Sequence, residues 1–261
     1  MKVSLFITCL VDQFYPNVGV SMVRLLRRYG CTIDFPASQT CCGQPAFNSG
    51  YPKEARAVAL GLLNAFEDAE YVVSPSGSCV GMIQHYYHEL FANDPALAKR
   101  ADALAKKTYE FSQFLVNVLG VTDVGAVCPH TVTFHPSCHA SRLLGVRSEP
   151  MTLLENVQDI RLVPLPYAND CCGFGGTFAV KLSDVSGAMV AEKADHIAET
   201  GAEFLVSTDA GCLMNIAGHM KRRGIATQPL HLAELLERFS AAGPTPLSRR
   251  CGRGGIRGKG R

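Results

Sequence analysis

A set of four cysteines occurs twice along this chain, in the same order and at nearly the same spacing, and that repeat limits what the chain can fold into. Thr40-Cys41-Cys42-Gly43 returns as Asp170-Cys171-Cys172-Gly173, with the double cysteines 130 residues apart. Cys9 returns as Cys138 at an offset of 129, and Cys79 as Cys212 at an offset of 133. Four residues matched within four positions of one offset are the mark of an internal repeat, so two related units are expected rather than one irregular domain.

The sequence around each cysteine repeats as well. Residues 3–8 and 132–135 read as short buried strands that end at a cysteine-bearing loop. Residues 32–35 and 161–164 read as second strands leading to the Cys-Cys-Gly turns. Helices are predicted after those turns, over 53–69 and 182–200. Third strands follow at 71–74 and 203–207, and Cys79 and Cys212 then fall where a new helix begins. Strands alternating with helices imply parallel sheets joined by crossover helices. The predicted class is therefore α/β, with two units related by a pseudo-twofold axis, each a small, mostly parallel sheet with flanking helices. Residues 1–119 form the first unit with mostly helical joining residues at 95–119; residues 120–242 form the second. Residues 243–261 are a basic Gly/Arg-rich tail predicted to be disordered. The cysteines then sit at the carboxyl ends of strands, where open α/β sheets place their ligands.

Composition narrows the chemistry. The chain has eleven cysteines in 261 residues, and an odd number cannot all pair within it. The apolar run after Lys2 is short, is closed by Asp12 and lacks a cleavage site, so it reads as a buried strand, not a secretory signal. No run approaches the length of a membrane span. A cytoplasmic location with reduced thiols follows, and a disulfide framework does not. The formal net charge is +2. Arg249, Arg250, Arg253, Arg257, Lys259 and Arg261 in the tail more than account for it. The body is mildly acidic and gives no electrostatic reason to bind nucleic acid.

Thiolates bind metals, and helix starts favour the charge they carry. Adjacent cysteines are poor disulfide partners, yet they can direct two sulfurs at one metal group. Zinc sites usually use closely spaced Cys-x-x-Cys knuckles, which this chain lacks. Iron–sulfur clusters accept widely spaced ligands and commonly take four thiolates. Spacing therefore favours iron–sulfur, with zinc as the competitor in one or both sites. Cys9, Cys41, Cys42 and Cys79 are the candidate ligands of one site, and Cys138, Cys171, Cys172 and Cys212 those of the other.

These residues carry a family resemblance. Cys-x31-Cys-Cys-Gly-x35-Cys and Cys-x32-Cys-Cys-Gly-x38-Cys resemble the CCG cysteine-rich domain. That domain occurs in a cysteine-rich component of heterodisulfide reductase, in the iron–sulfur subunits of glycolate oxidase and anaerobic glycerol-3-phosphate dehydrogenase, and in lactate-utilisation protein A. The stretches CCGQPAFNSGY (41–51), SPSGSC (74–79), FHPSCHASRLLGV (134–146), CCGFGGTFAVK (171–181) and SGAMVAEK (186–193) are similar to the last family in particular. The resemblance implies a 4Fe–4S cluster in each repeat. It also implies an electron-transfer role in L-lactate oxidation to pyruvate, alongside two further lactate-utilisation proteins, with the electron acceptor open. Such a chain would be an oxidoreductase subunit, not active alone. In the heterodisulfide reductase component the last element is Cys-x-x-Cys, and five cysteines hold a noncubane cluster. Here Ser76 and Asp209 replace the first member of that pair, which points away from heterodisulfide chemistry. Each either supplies an oxygen ligand or hydrogen-bonds nearby, Asp209 by capping the helix that starts near Cys212. The alternatives are a zinc-stabilised scaffold and a thiol–disulfide redox subunit.

Cys31 reads as core, and Cys128 and Cys251 lie in the linker and the tail without partners in the pattern. Residues 173–176 do not complete a Gly-x-Gly-x-x-Gly fingerprint, so nucleotide binding has no support there. His135 and His139 bracket Cys138 and read as packing or as neighbours of the site. His85 and His88 fall on a helical pattern, and His231 precedes an amphipathic helix over 232–239. Glu192 and Lys193 are expected on a solvated helix face. No hydrolase triad stands out.

Overall fold

The computed structural model describes residues 1–240, so the predicted tail and Cys251 lie outside the described residues. Among the described residues, eight short strands form two sheets. The first contains β1 (Lys2–Leu5), β2 (Thr32–Asp34), β3 (Tyr71–Ser74) and β4 (Thr108–Glu110), in the order β2-β1-β3-β4. The second contains β5 (Thr131–His135), β6 (Arg161–Leu162), β7 (Phe204–Ser207) and β8 (Gln228–His231), in the order β6-β5-β7-β8. Every neighbouring pair is parallel. The central strands are apolar and buried on both faces, as parallel sheets covered by helices require: Val72, Val73, Leu205 and Val206 are fully buried. The predicted mixed α/β class with two parallel sheets is what the structure shows.

Helix packing follows the apolar spacing. In Pro52–Ala65 the buried residues are Ala55, Ala59, Leu62 and Leu63; in Ser183–Glu199 they include Ser186, Val190, Lys193 and Ala194. The two patterns superpose position by position, and the only charged member is Lys193. Both sheets contribute to one apolar core, in which Val3, Leu5 and Val73 are joined by Val132, Phe204 and Val206. Helix Pro16–Arg28 packs against helix Leu232–Arg238 across the junction. Gly77 lets the backbones of the two repeats approach, because a Cβ there would lie 2.6 Å from that of Ala140.

Two strands were not foreseen. β4 interrupts the stretch 95–119 that was expected to be mostly helical, between helix Pro95–Lys107 and the turn at Phe111. At its end the Glu110 carboxylate accepts from the Ser112 and Gln113 amides, which turns the chain from strand back to helix. β8 carries Pro229 and lies at a sheet edge, where a missing N–H is tolerated. The helix predicted over 53–69 ends at Ala65, and the strand predicted over 161–164 is reduced to Arg161–Leu162.

Candidate metal centres

In each sheet the strand order reverses direction between the first and third strands, and the crevice there opens at their carboxyl ends. Cys9 follows β1 and Cys79 follows β3; Cys138 follows β5 and Cys212 follows β7. The Cys-Cys-Gly turn reaches the same crevice after the second strand. Its glycine is left-handed in both repeats, with φ of 83° at Gly43 and 77° at Gly173. A Cβ at Gly173 would also meet the Ser186 carbonyl at 2.8 Å. The turn therefore needs glycine twice over.

The four thiols of each repeat converge. In the first, the Cys9 and Cys41 sulfurs are 4.0 Å apart and the Cys42 and Cys79 sulfurs 3.3 Å. In the second, Cys172 and Cys212 are 3.2 Å apart, and Cys138 Sγ lies 3.6 Å from His139 Nδ1. The Gly43 and Gly173 amides donate to Cys41 and Cys171, each at 3.4 Å. Hydrogen bonds from the Cys42 and Cys9 thiols hold the Cys41 thiol down to about 3, and those from Cys138 and Cys172 lower Cys171 in the same way. The donating thiols are raised in turn, Cys42 and Cys172 first of all by bonding to those same partners. Each repeat thus favours a thiolate, the form that binds metal, at the first cysteine of its pair.

All eight cysteines line one cavity of about 440 Å³ between the repeats. Ser76 and Asp209 meet across it in an antiparallel bridge. Asp209 accepts from the Gly211 amide at 3.0 Å, capping the helix that carries Cys212, and from the Ser78 amide of the other repeat at 3.0 Å. Ser76 donates to the same carboxylate at 3.3 Å. These two residues therefore act as caps and as a tie between the repeats.

Behind the cysteines the repeats differ. His135 is 1 % exposed, neither ring nitrogen has a partner, and burial holds it neutral, its pKa lowered to about 3. One of its nitrogens lies within 4.8 Å of both the Cys172 and the Cys212 thiol. Lys193, expected on a solvated face, is 1 % exposed; its ammonium donates to the Tyr167 carbonyl at 2.7 Å. It sits on the buried stripe of its helix, which a periodicity reading assigns to an apolar residue. Glu192 is exposed, as expected. Cys31 and Cys128 are buried in the core away from both sets. His85 and His88 are exposed, and buried His231 caps its helix and bonds the Pro75 carbonyl at 3.0 Å. A second cavity of about 700 Å³, lined by Phe134, Met151, Arg142 and Arg147, adjoins the second set through Ser137, and no motif announced it.

Two parallel sheets, each delivering a convergent set of cysteines to a shared crevice, define a double cysteine-rich-domain protein with the donor character of metal or cluster binding. The cysteine-rich domain named CCG matches residues 3–84 and again 132–217. The chain belongs to the lactate utilization protein A family. It is 56 % identical to lactate utilization protein A of Geobacillus thermodenitrificans over 236 residues, covering 90 % of this chain and 98 % of that protein. It is 54 % identical to lactate utilization protein A of Bacillus subtilis over 236 residues, covering 90 % and 99 %. Among solved structures, a hypothetical protein from Helicobacter pylori shares the fold, with a TM-score of 0.59 at 13 % identity; the match covers 91 % of this chain and 48 % of that one. Among the described residues, no helix is long and apolar enough to cross a membrane.

Proposed function

We propose that this chain is the iron–sulfur electron-transfer component of a cytoplasmic L-lactate oxidation system that produces pyruvate, acting with two further lactate-utilisation proteins. The observation that carries the reading is the shared cavity onto which both cysteine sets open. Cys9, Cys41, Cys42 and Cys79 would hold one cluster and Cys138, Cys171, Cys172 and Cys212 the other. Four thiols converging in each repeat fit the usual thiolate number of such clusters. When bound, each cluster would supply one-electron chemistry. A purely structural metal site is normally closed off within its fold and gains nothing from facing a second such site across a cavity.

The rim supports a docking partner. Val180 lines the cavity and is 81 % exposed, and Leu182, Val185 and Tyr51 are also exposed. Lys181 sits over the Tyr51 ring at 5.8 Å, which joins the two sides of this apolar patch. An apolar patch beside a redox site fits a transient electron partner.

One observation favours a second reading. Sulfur separations of 3.2 to 4.0 Å bracket the ~3.8 Å edge of a tetrahedral four-thiolate site with metal–sulfur bonds of about 2.3 Å. On that reading one or both sets hold a single zinc ion and the chain is a scaffold. Iron and acid-labile sulfide measured in anaerobically purified protein separate the two, together with a visible absorbance that bleaches on reduction. Stoichiometric zinc, with no iron after reconstitution, overturns the first reading. The chain alone is expected not to oxidise L-lactate and to restore lactate-dependent dye reduction when mixed with its companions. Serine at Cys41 or Cys171 should abolish that restoration.

A further inference from the structure

In the wall behind the second cysteine set both ring nitrogens of His135 are buried without a partner; the neighbouring Ser137 hydroxyl is buried and unpaired as well. Leaving both ring nitrogens unsatisfied in the interior is costly, so a buried imidazole in this position needs a function that repays it. The repeat supplies the comparison. Three residues before Cys9 the first unit has Phe6, fully buried with Cys42 and Cys79 in one apolar cluster; three residues before Cys138 the second unit has His135. The helix position that is Leu62 in the first unit is Lys193 in the second. The same fold thus surrounds one thiol set with apolar groups and the other with an imidazole and an ammonium.

We propose that His135 supplies a nitrogen donor to the metal group held by the second set, which then has four thiolates and one imidazole, against four thiolates alone in the first. The geometry is at hand, since one ring nitrogen and the Cys172 and Cys212 sulfurs lie within 4.8 Å of one another. The ring is anchored at the end of β5, where His135 pairs with Ser207 of β7, so the backbone fixes its reach. A neutral imidazole is an ordinary ligand of iron and zinc. This inference rests on metal binding by the second set and not on the group being an iron–sulfur cluster.

The test is pulsed electron paramagnetic resonance on reduced, anaerobically purified full-length protein, unlabelled and labelled with ¹⁵N-histidine. A directly bonded nitrogen should be visible in the unlabelled protein and should change with the label. It should vanish in His135→Phe and persist in His139→Phe, which removes the other imidazole near Cys138. Absence of a histidine nitrogen in the labelled wild-type protein would overturn the inference without any variant, as would persistence in His135→Phe or loss in His139→Phe. If the metal is not iron, X-ray absorption at its own edge reads the same ligand. A nitrogen neighbour lost in His135→Phe would then sustain the inference while sinking the iron–sulfur reading.

Discussion

Replacing Asp209 tests whether the two repeats are held in register by one buried carboxylate. The side chain is 4 % exposed and accepts from the Gly211 amide in its own helix turn and from the Ser78 amide and Ser76 hydroxyl across the repeat boundary. Asp209→Ala leaves two backbone N–H groups without that partner, at about 1–3 kcal/mol each. Part of this is offset, because burying the carboxylate is itself costly. Ser78 is also half-buried, so water can reach its amide. A net loss of about 3 kcal/mol is expected. Asp209→Ser installs the residue that the first repeat has at the matching position, where Ser76 Oγ accepts from the Cys79 amide at 3.5 Å. Serine should keep the local cap but fall short of Ser78, so about half of the loss should return. Urea unfolding of metal-loaded protein under anaerobic conditions reads both values as midpoint shifts at constant slope. If Asp209→Ala stays within about 0.5 kcal/mol of wild type, the carboxylate is not the tie between repeats. If serine restores wild-type stability in full, the cross-repeat bond is not the part that matters.

Three further outcomes follow from the structure. Glu110 is fully buried, and desolvation lifts its pKa to about 7 from an ordinary 4.5, so stability should fall as pH rises between those values. Glu110→Gln keeps an oxygen acceptor for the Ser112 and Gln113 amides and should flatten that slope, making the variant more stable than wild type by about 1–3 kcal/mol at pH 8; identical slopes in urea titrations would refute this. Lys193→Met removes a buried cation beside the second cysteine set and should lower the midpoint of that centre while leaving the first unmoved, read by anaerobic redox titration. Gly173→Ala forces a left-handed residue against the Ser186 carbonyl at 2.8 Å and should cost about 2–3 kcal/mol and reduce the metal retained on gel filtration; full metal content would show that the turn can relax.

The repeat was legible because the cysteines and the glycine that turns the chain beside them keep their identity and spacing in both copies. The central strands were legible because a parallel strand covered on both faces has to be continuously apolar, as β3 and β7 are. The edge strands were not. β4 and β8 are three and four residues long, carry Glu110 and Pro229, and owe their pairing to the neighbour already in place. Lys193 escaped for a related reason: a charged residue at a buried helix position looks like a surface residue until the carbonyl that accepts its hydrogen bond, here that of Tyr167, is known.

What the linear order of residues determined by itself was the pair of α/β units and the eight cysteines at their strand ends, since both follow from local periodicity and spacing. What only the folded chain decided was that the eight cysteines share one cavity, that Asp209 spans the repeats, and that both ring nitrogens of His135 are buried without a partner. Those facts depend on contacts between residues far apart along the chain, such as Ser78 with Asp209 and Gly77 with Ala140. Distances of that kind are set by how two sheets close over one core, and periodicity along the chain carries no record of them.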